Sequence, residues 1–576
     1  MKMRVAALQF GAGTDVPTNL ATCLRMIDEA ARHQPDLMVL PEFSNHASWY
    51  DNKQHCFDVS VPLGGPFLQA IGDRARQHRC YIVVNVTLQR VSPEHGPYAT
   101  GSSVLFDRDG AVLSVSDKQV LMGHENDFLE RATAATAITA IDCGRVSLYA
   151  CMDGVINETP RGLALGGAQV LCNSLNSFAL DEANLHIPVR AAENKVFVVA
   201  AEKVAPLIPE FLLEPVSKAT SIPAHFLHGA GESQIVAPDG RVLAKGPRMG
   251  EAIVVADIDP AQADDKRRPD GTDIFAARRP ELYGPLARPP ATLGLAPGAS
   301  ELKAAVLQTR AEGDSAIAEA ADLVAQAARA GAKLIALPEL FYIAAGQAGG
   351  PRVNDVAAAE QAGARAVTAL QAALRGVDSD GVVVVTSVVR GGAHVGVMVS
   401  RDGVLLEQTQ LHRVARHAWG APGDTSRVIQ LPWARVGIVV GDDAIYPEAF
   451  RLLALQGAEV VVAPLHLQEA WELALGLPER AAENRICLLV ASRPTPVGAS
   501  AVMTLHKDFT IMTPWETRPF DGNISTPIVT LASGGPGATT AAIHPANAQN
   551  RFVSHRTDVV DGRPWHLAGA IVRTMP

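Results

Sequence analysis

The segment "VRAAENKVFVVAAEK", from Val189, returns as "ERAAENRICLLVASR", from Glu479. "MRVAALQF" near the start returns as "LKAAVLQT" from Leu302, and "DLMVLPEF" as "KLIALPEL". Cys151 is matched by Gly441, Glu158 by Glu448, Arg161 by Arg451, Ala168 by Ala458 and Arg190 by Arg480, always 290 residues on. A spacing held constant over about forty residues marks a duplicated domain. Duplication constrains the fold more than any other feature, because one architecture must satisfy both copies. It also suits the length, since 576 residues exceed what one hydrophobic core holds.

Between the copies lies "RRPELYGPLARPPATLGLAPGAS", where Pro280, Pro285, Pro289, Pro290 and Pro297 interrupt helix and strand alike, as in a semi-rigid linker. The expected organisation is a first domain over 1–283, a linker over 284–300, and a second domain over 301–576 that includes a C-terminal tail. Within each copy, short Val/Ile/Leu runs alternate with Ala-rich stretches such as "NLATCLRMIDEAARHQ" and "IAEAADLVAQAARAGA", whose apolar residues fall at helical spacing. Strand-helix alternation predicts an α/β fold with sheets covered by helices. The tail after Gly534 is expected either to add an interface or to return to the first copy.

With 48% hydrophobic and 19% charged residues the chain reads as a globular protein without extensive disorder. Its net charge of -10, spread along the chain, leaves no basic footprint for nucleic acid or a membrane surface. Small molecules or copies of itself are the expected partners. "MKMRVAALQF" enters a strand without a signal-peptide core, and no apolar run spans a bilayer, so a cytoplasmic location is expected. Seven cysteines, none in a CxxC pair, fit reduced thiols rather than a disulfide framework. The 17 histidines form no HExxH or paired Cys/His spacing, and GxGxxG, P-loop and GxSxG motifs are absent. No metal and no cofactor are expected.

Three segments of the first copy end strands on polar residues able to converge. "DLMVLPEF" delivers Glu42, "VLSVSDKQVL" delivers Lys118 and "RVSLYAC" delivers Cys151. A free thiol is only slightly ionised at neutral pH, so a catalytic cysteine needs a cation to favour the thiolate or a base to remove its proton. Lys118 and Glu42 are able to supply those functions. Taken singly, Cys151 reads as a core thiol, Glu42 as a cap or strand-end ion pair, and Lys118 as a turn residue.

The ordered set "ALQF", "LPEF", "DRDG", a lysine after that turn, Cys-x-Asp with glutamate seven and arginine ten residues beyond the cysteine, "GGAQVL", "RAAEN", "GESQIVAPDGRVLA" and "RRPELY" resembles the nitrilase superfamily of carbon-nitrogen hydrolases over essentially the whole first copy. The resemblance implies an αββα sandwich in each copy and a Glu-Lys-Cys triad at Glu42, Lys118 and Cys151. A second glutamate, which helps to position substrate in that family, is matched best by Glu125 in "HENDFLERA", ahead of Glu130. In the implied reaction Glu42 deprotonates Cys151, the thiolate attacks an amide carbonyl, and the oxyanion meets the Lys118 ammonium and the backbone N–H of Met152. Ammonia or an amine leaves, and water hydrolyses the thioester.

Nitrile-hydrolysing members usually follow the cysteine with tryptophan and glutamate, whereas "CMDG" has the aspartate of amidases and carbamoyl hydrolases. Cleavage of a small-molecule amide or carbamoyl bond is therefore expected; a nitrilase, acyl transfer to an amine, and a non-catalytic binding or scaffold protein are the alternatives. Val155 and Asn157 stand where the family often has arginine and proline, which puts a carboxylate-bearing substrate in doubt. His46, Trp49 and Tyr50, with Asn173 and Ser174, are expected at the pocket wall, and the Pro-rich segment 205–229 as a lid or an interface. Glu158 with Arg161, and Glu193, are expected to be structural ion pairs supporting the nucleophile's turn.

The second copy keeps Glu339 in "LPEL", but the counterpart of Lys118 falls at Gln410, Leu411 or His412, and Gly441 holds the nucleophile's place. This copy is expected to run no thioester chemistry and to serve as a permanent partner of the first, an intramolecular pseudo-dimer, with further homo-oligomerisation left open.

Overall fold

A computed structural model describes residues 2–93, 96–346 and 350–574. Contacts divide the chain into two compact units, one of Met1–Asp265, Asp508–Ser525 and Phe552–Pro576, the other of Lys266–Lys507 and Thr526–Arg551. These limits differ from the expected boundaries at 283 and 300. Prolines mark where regular structure breaks, whereas buried ion pairs decide which side a segment packs with: Arg268 binds Asp442, and Arg278 binds Glu448, inside the second unit. From Phe552 onward, the tail belongs to the first unit.

In the first unit, β1 (Met3–Gln9), β2 (Leu37–Val39), β3 (Tyr81–Ser92), β4 (Gly96–Phe106) and β5 (Val112–Asp117) form one sheet with the later β12 (Ala252–Ile258), in the order β12-β1-β2-β3-β4-β5. A second sheet has the order β11-β10-β9-β8-β7-β6, from β6 (Thr139–Ile141), β7 (Gly144–Ala150), β8 (Val170–Leu175), β9 (Phe197–Glu202), β10 (Gln234–Val236) and β11 (Val242–Lys245). The inner strands β1-β2-β3 and β7-β8-β9 are parallel, and the outer ones antiparallel. β8, "VLCNSL", and β9, "FVVAAE", are buried throughout, as parallel strands covered on both faces must be. The helix Val16–Ala30 starts where the Asp15 carboxylate accepts from the Thr18 N–H. Its Cys23, Met26 and Ile27 pack with Leu68 and Ile71 of the helix Pro66–His78 onto Ala6, Leu8, Ile82 and Val84 of the first sheet.

The second unit repeats this topology. Its strands are β13 (Leu302–Gln308), β14 (Leu334–Ala336), β15 (Val383–Arg390), β16 (Ala393–Val399), β17 (Val404–Thr409), β18 (Val428–Gln430), β19 (Arg435–Ile438), β20 (Val460–Pro464), β21 (Cys487–Ala491), β22 (Ala501–Thr504), β23 (Ile528–Leu531) and β24 (Gly537–Ile543). They order as β17-β16-β15-β14-β13-β24 and β18-β19-β20-β21-β22-β23. Alternate side chains of each strand serve alternate layers. Val384 packs under Ala320, Val324 and Leu370 of two helices, whereas Val385 meets Ile438, Val462 and Leu489 between the sheets. Val461 and Leu488 then lie under Phe450, Leu453 and Ala481. The fold is α/β, an αββα sandwich built twice. One hairpin differs: β10 and β11 are joined by residues 237–241, their counterparts β22 and β23 by residues 505–527. No helix among the described residues is long and apolar enough to cross a membrane.

Candidate active site

Strand carboxyl ends carry the polar residues, two of them after the parallel strands β2 and β7 and one after the antiparallel β5, as in other α/β sheets whose sites lie beyond the strand carboxyl termini. β2 runs through Pro41 to Glu42, and the buried Phe43 then turns the chain with φ 50°. β5 delivers Lys118 and β7 delivers Cys151. Cys151 has φ 49° and ψ -109°, outside the regions a residue with a side chain usually occupies. The cost is met by fixed partners: its N–H donates to Ser174 O at 3.0 Å and to Asn173 Oδ1 at 3.1 Å. Met152 then opens the short helix Met152–Val155, where the first N–H groups have no partner within the helix.

Lys118 Nζ lies 2.7 Å from Glu42 Oε1 and 3.0 and 2.9 Å from the two oxygens of Glu125, and all three side chains are buried. Burial opposes the ammonium, but the carboxylates of Glu125 and Glu42 outweigh it and hold Lys118 well above its ordinary range. Glu42 is pushed up to about 7 by burial, against the pull of Lys118. Its Oε2 has no hydrogen-bond partner among the described residues. The Cys151 thiol, 7% exposed, is pushed well up by burial and by Glu42, with Lys118 opposing. At rest, this is a charged lysine, a protonated thiol and a carboxyl group that titrates near neutrality.

Two buried groups brace the turn. Asp153 Oδ1 accepts from the Gln119 and Val120 N–H groups at 3.0 and 2.8 Å, and Oδ2 from the Ala150 N–H at 3.3 Å. The residues just after Lys118 are thereby tied to the turn at Cys151. Arg190, from "RAAEN", donates to the carbonyls of Gly154 and Val155 at 2.7 and 2.9 Å and pairs with Glu193 at 2.8 Å. Arg161 donates to Glu193 O and Asn194 Oδ1.

A cavity of about 140 Å³ opens at Cys151, with Met152, Val155, Glu125, His124, Phe178 and Glu182 among its lining. The expected wall residues lie elsewhere. His46 is buried with Nδ1 2.7 Å from Ala47 O and stacks on Tyr50, whose hydroxyl meets Thr87 Oγ1 at 2.7 Å. Trp49 is half-buried against His124. Asn173 holds the Cys151 N–H, and Ser174 Oγ donates to Leu40 O at 2.7 Å. None of the five lines the cavity. Glu130 is exposed. In segment 205–229, Leu207, Ile208 and Leu227 line the cavity, and Ile208 also lines an outer groove of about 1000 Å³ bordered by Gly13, Glu210, His225 and Arg248.

Lys203 escaped the sequence reading. It is 1% exposed, its Nζ has no hydrogen-bond partner among the described residues, and it sits 5.9 Å from the centre of the Phe43 ring, with Lys118 Nζ 5.5 Å from the same centre. Burial lowers it to about 8, with Glu42 and Glu202 opposing. A charged pair, Glu202-Lys203, directly after an apolar strand was its only signal. Among the described residues no group of three or more His, Cys, Asp or Glu side chains is arranged to hold a metal ion, and all seven cysteines are buried and unbridged.

In the second unit, Asp443 binds the Leu411 and His412 N–H groups as Asp153 binds those of Gln119 and Val120. The Gln410 N–H donates to His394 O as the Lys118 N–H donates to Gly101 O, so of the three candidates Gln410 holds the lysine's place. Gly441 has φ 55°. Arg416 grips both oxygens of Glu339 at 2.6 and 2.7 Å and Asp442 Oδ2 at 2.6 Å, while Arg268 binds Asp442 and Glu472, each at 2.5 Å. Burial opposes the Glu339 carboxylate, but Arg416 and His417 outweigh it and hold it well below the usual range.

The sequence profile of the carbon-nitrogen hydrolase family matches residues 4–268 and 303–518. A nitrilase of Pyrococcus abyssi is 27% identical over 266 residues, covering 46% of this chain and 92% of that protein. An N-carbamoylputrescine amidase of Solanum tuberosum is 24% identical over 294 residues, 48% of this chain and 93% of that one. Among solved structures, an amidase from Nesterenkonia sp. AN1 aligns at 22% identity with a TM-score of 0.38, over 46% of this chain and 94% of that one. Two matches of one profile, falling on the two repeats and spanning most of the length, mean that the chain belongs to the carbon-nitrogen hydrolase family and carries its domain in tandem.

Proposed function

We propose that the first copy is an amidase-type hydrolase that cleaves a small-molecule amide or carbamoyl C–N bond through a thioester on Cys151. The observation that carries the reading is the division of labour around Lys118: Glu125 holds the ammonium with both oxygens, while Glu42 keeps an Oε2 without a hydrogen-bond partner among the described residues and a value near neutrality, suited to a general base. Glu42 takes the proton from Cys151 Sγ as the sulfur bonds to the carbonyl carbon. The oxyanion is stabilised by Lys118 and the Met152 N–H. Collapse breaks the C–N bond, and the amine leaves with the proton from Glu42. Water then gives a proton to Glu42 and attacks the thioester, releasing the acid and the thiol. No step falls to the second copy, where glycine and glutamine replace the nucleophile and the ammonium.

Ammonia and acid release from amides, carbamoyl compounds and nitriles, with the parent chain beside Cys151→Ala, tests the proposal. The expected result is release from amides or carbamoyl compounds that the substitution abolishes. Full activity in Cys151→Ala overturns the mechanism, and preference for nitriles overturns the bond assignment.

A further inference from the structure

Part of the cavity wall at Cys151 comes from residues that the linear order places at the far end of the chain: Ile511, Met512, Ile524, Val553 and Ser554. They lie in the portions of the chain, 508–525 and 552–576, that belong by their contacts to the first unit. Residues from 519 onward fall outside both stretches matched by the family profile, and 505–527 fill a hairpin that the first copy closes with 237–241. Ile524, Val553 and Ser554 thus lie beyond the stretches that the family profile matches, whereas Ile511 and Met512 lie within the second of them. This part of the wall is also firmly anchored. Asp181 Oδ2 accepts from the Ile524 and Ser525 N–H groups at 2.5 and 2.9 Å, and the Leu180 N–H donates to Gly522 O at 2.8 Å. The Gly123 N–H donates to Thr557 Oγ1 at 2.9 Å, and Thr557 Oγ1 to Leu121 O at 3.0 Å. Ser554 packs so closely that a Cβ on Gly123, at φ 51°, would lie 2.6 Å from its Oγ.

Size and charge restrict the occupant. The cavity of about 140 Å³ is close to an engineered apolar cavity that takes up benzene, which corresponds to about six non-hydrogen atoms. Among the described residues neither lysine nor arginine lines it, and its titratable lining residues are Glu125, Asp181 and Glu182 with His124 and His186. Glu125 is engaged with Lys118 and the Met122 N–H, and Asp181 with the Ile524 and Ser525 backbone. A carboxylate on the acyl chain would meet three acidic residues against two histidines, of which His124 already donates from Nε2 to Ser48 O at 2.7 Å, and would have no lysine or arginine to pair with among the lining residues. We propose that segments 508–525 and 552–576 set the substrate class of the Cys151 site, admitting amides of short, uncharged aliphatic acids and rejecting acyl chains that end in a carboxylate. The proposal rests on the amide-hydrolase reading above.

The test measures kcat/KM for acetamide, butyramide, hexanamide and succinamate with the parent chain, Ile524→Ala and Val553→Ala, each checked for folding by circular dichroism. In the parent, butyramide is expected to exceed hexanamide at least tenfold and succinamate by more. Either variant is expected to raise the hexanamide-to-acetamide ratio about tenfold, the value of a few methylene contacts in a pocket. A parent that turns over hexanamide or succinamate as well as butyramide, or ratios unchanged in both folded variants, overturns the proposal. Alkylation of Cys151 by 2-bromobutanamide, 2-bromohexanamide and bromoacetate, followed by intact mass, reads the same wall without turnover. The expected order is 2-bromobutanamide fastest in the parent, with 2-bromohexanamide gaining in the variants. That order without hydrolysis of any amide upholds the wall and removes the hydrolase reading; hydrolysis without preference for chain length or charge does the reverse.

Discussion

Glu42 carries two opposed demands, burial with no hydrogen-bond partner for Oε2 among the described residues and a place beside an ammonium, and burial prevails by raising it to about 7. kcat/KM should therefore climb as pH rises through about 7, where the carboxyl loses its proton and becomes able to take that of the thiol. The same shift is a stability term. A folded value above the ordinary 4.5 means stability that is complete below 4.5 and lost as pH rises through about 7. Glu42→Gln lacks the titration, so its stability relative to the parent should rise by about 3 kcal/mol between pH 4.5 and 8, read by urea unfolding. Lys203 faces Glu42, Glu202, Cys23 and Cys151, with His46 also within its field. Lys203→Met removes a cation from beside Glu42 and should move the acid limb of the pH profile up by about one unit, while Lys203→Arg leaves it near that of the parent. The placement of Glu42, Lys118 and Cys151 beyond strand ends was legible in the sequence because each follows a strand-like run. Lys203 was not, since a lysine after a strand is ordinarily solvated and only tertiary packing seals this one.

At the scale of elements, the strand ends converge because Asp153 pins the residues after β5 to the turn after β7. Asp153→Ala leaves two buried N–H groups close to Lys118 without their acceptor and should cost about 2–4 kcal/mol, read as a fall in urea midpoint together with a loss of activity. Asp153→Asn, which keeps one oxygen acceptor, should lose less on both counts. The "CMDG" motif singled out this aspartate as a marker of substrate branch, yet two of its bonds are to backbone 33 and 34 residues away, a relation that periodicity does not record. His46 and Tyr50 illustrate the converse. Their proximity in sequence to Glu42 argued for the pocket, but the turn at Phe43 directs the following residues into an aromatic cluster with His55 and Phe128.

Across the whole molecule the two copies share a topology and differ in what fills the strand ends. In the second unit a Cβ on Gly441 would lie 3.0 Å from His394 Cε1 and 3.1 Å from Glu339 Oε2, and Arg416 already engages Glu339. Adding Gly441→Cys to Cys151→Ala should therefore restore no ammonia release. Arg416→Met, which takes the cation from both oxygens of the buried Glu339 and leaves Asp442 to Arg268, should destabilise the chain by about 3 kcal/mol, measured by urea unfolding. The sequence by itself determined the duplication, the α/β alternation and the loss of cysteine and lysine from the second copy, because constant spacing, apolar periodicity and residue identity are all properties of linear order. Only the tertiary structure decided that residues 508–525 and 552–576 belong with the first unit, and that Ile524 and Val553 wall the cavity at Cys151. The physical reason is that those contacts join residues hundreds of positions apart through backbone hydrogen bonds such as those of Asp181 with Ile524 and Ser525, and no local pattern of polarity or spacing specifies such a partner.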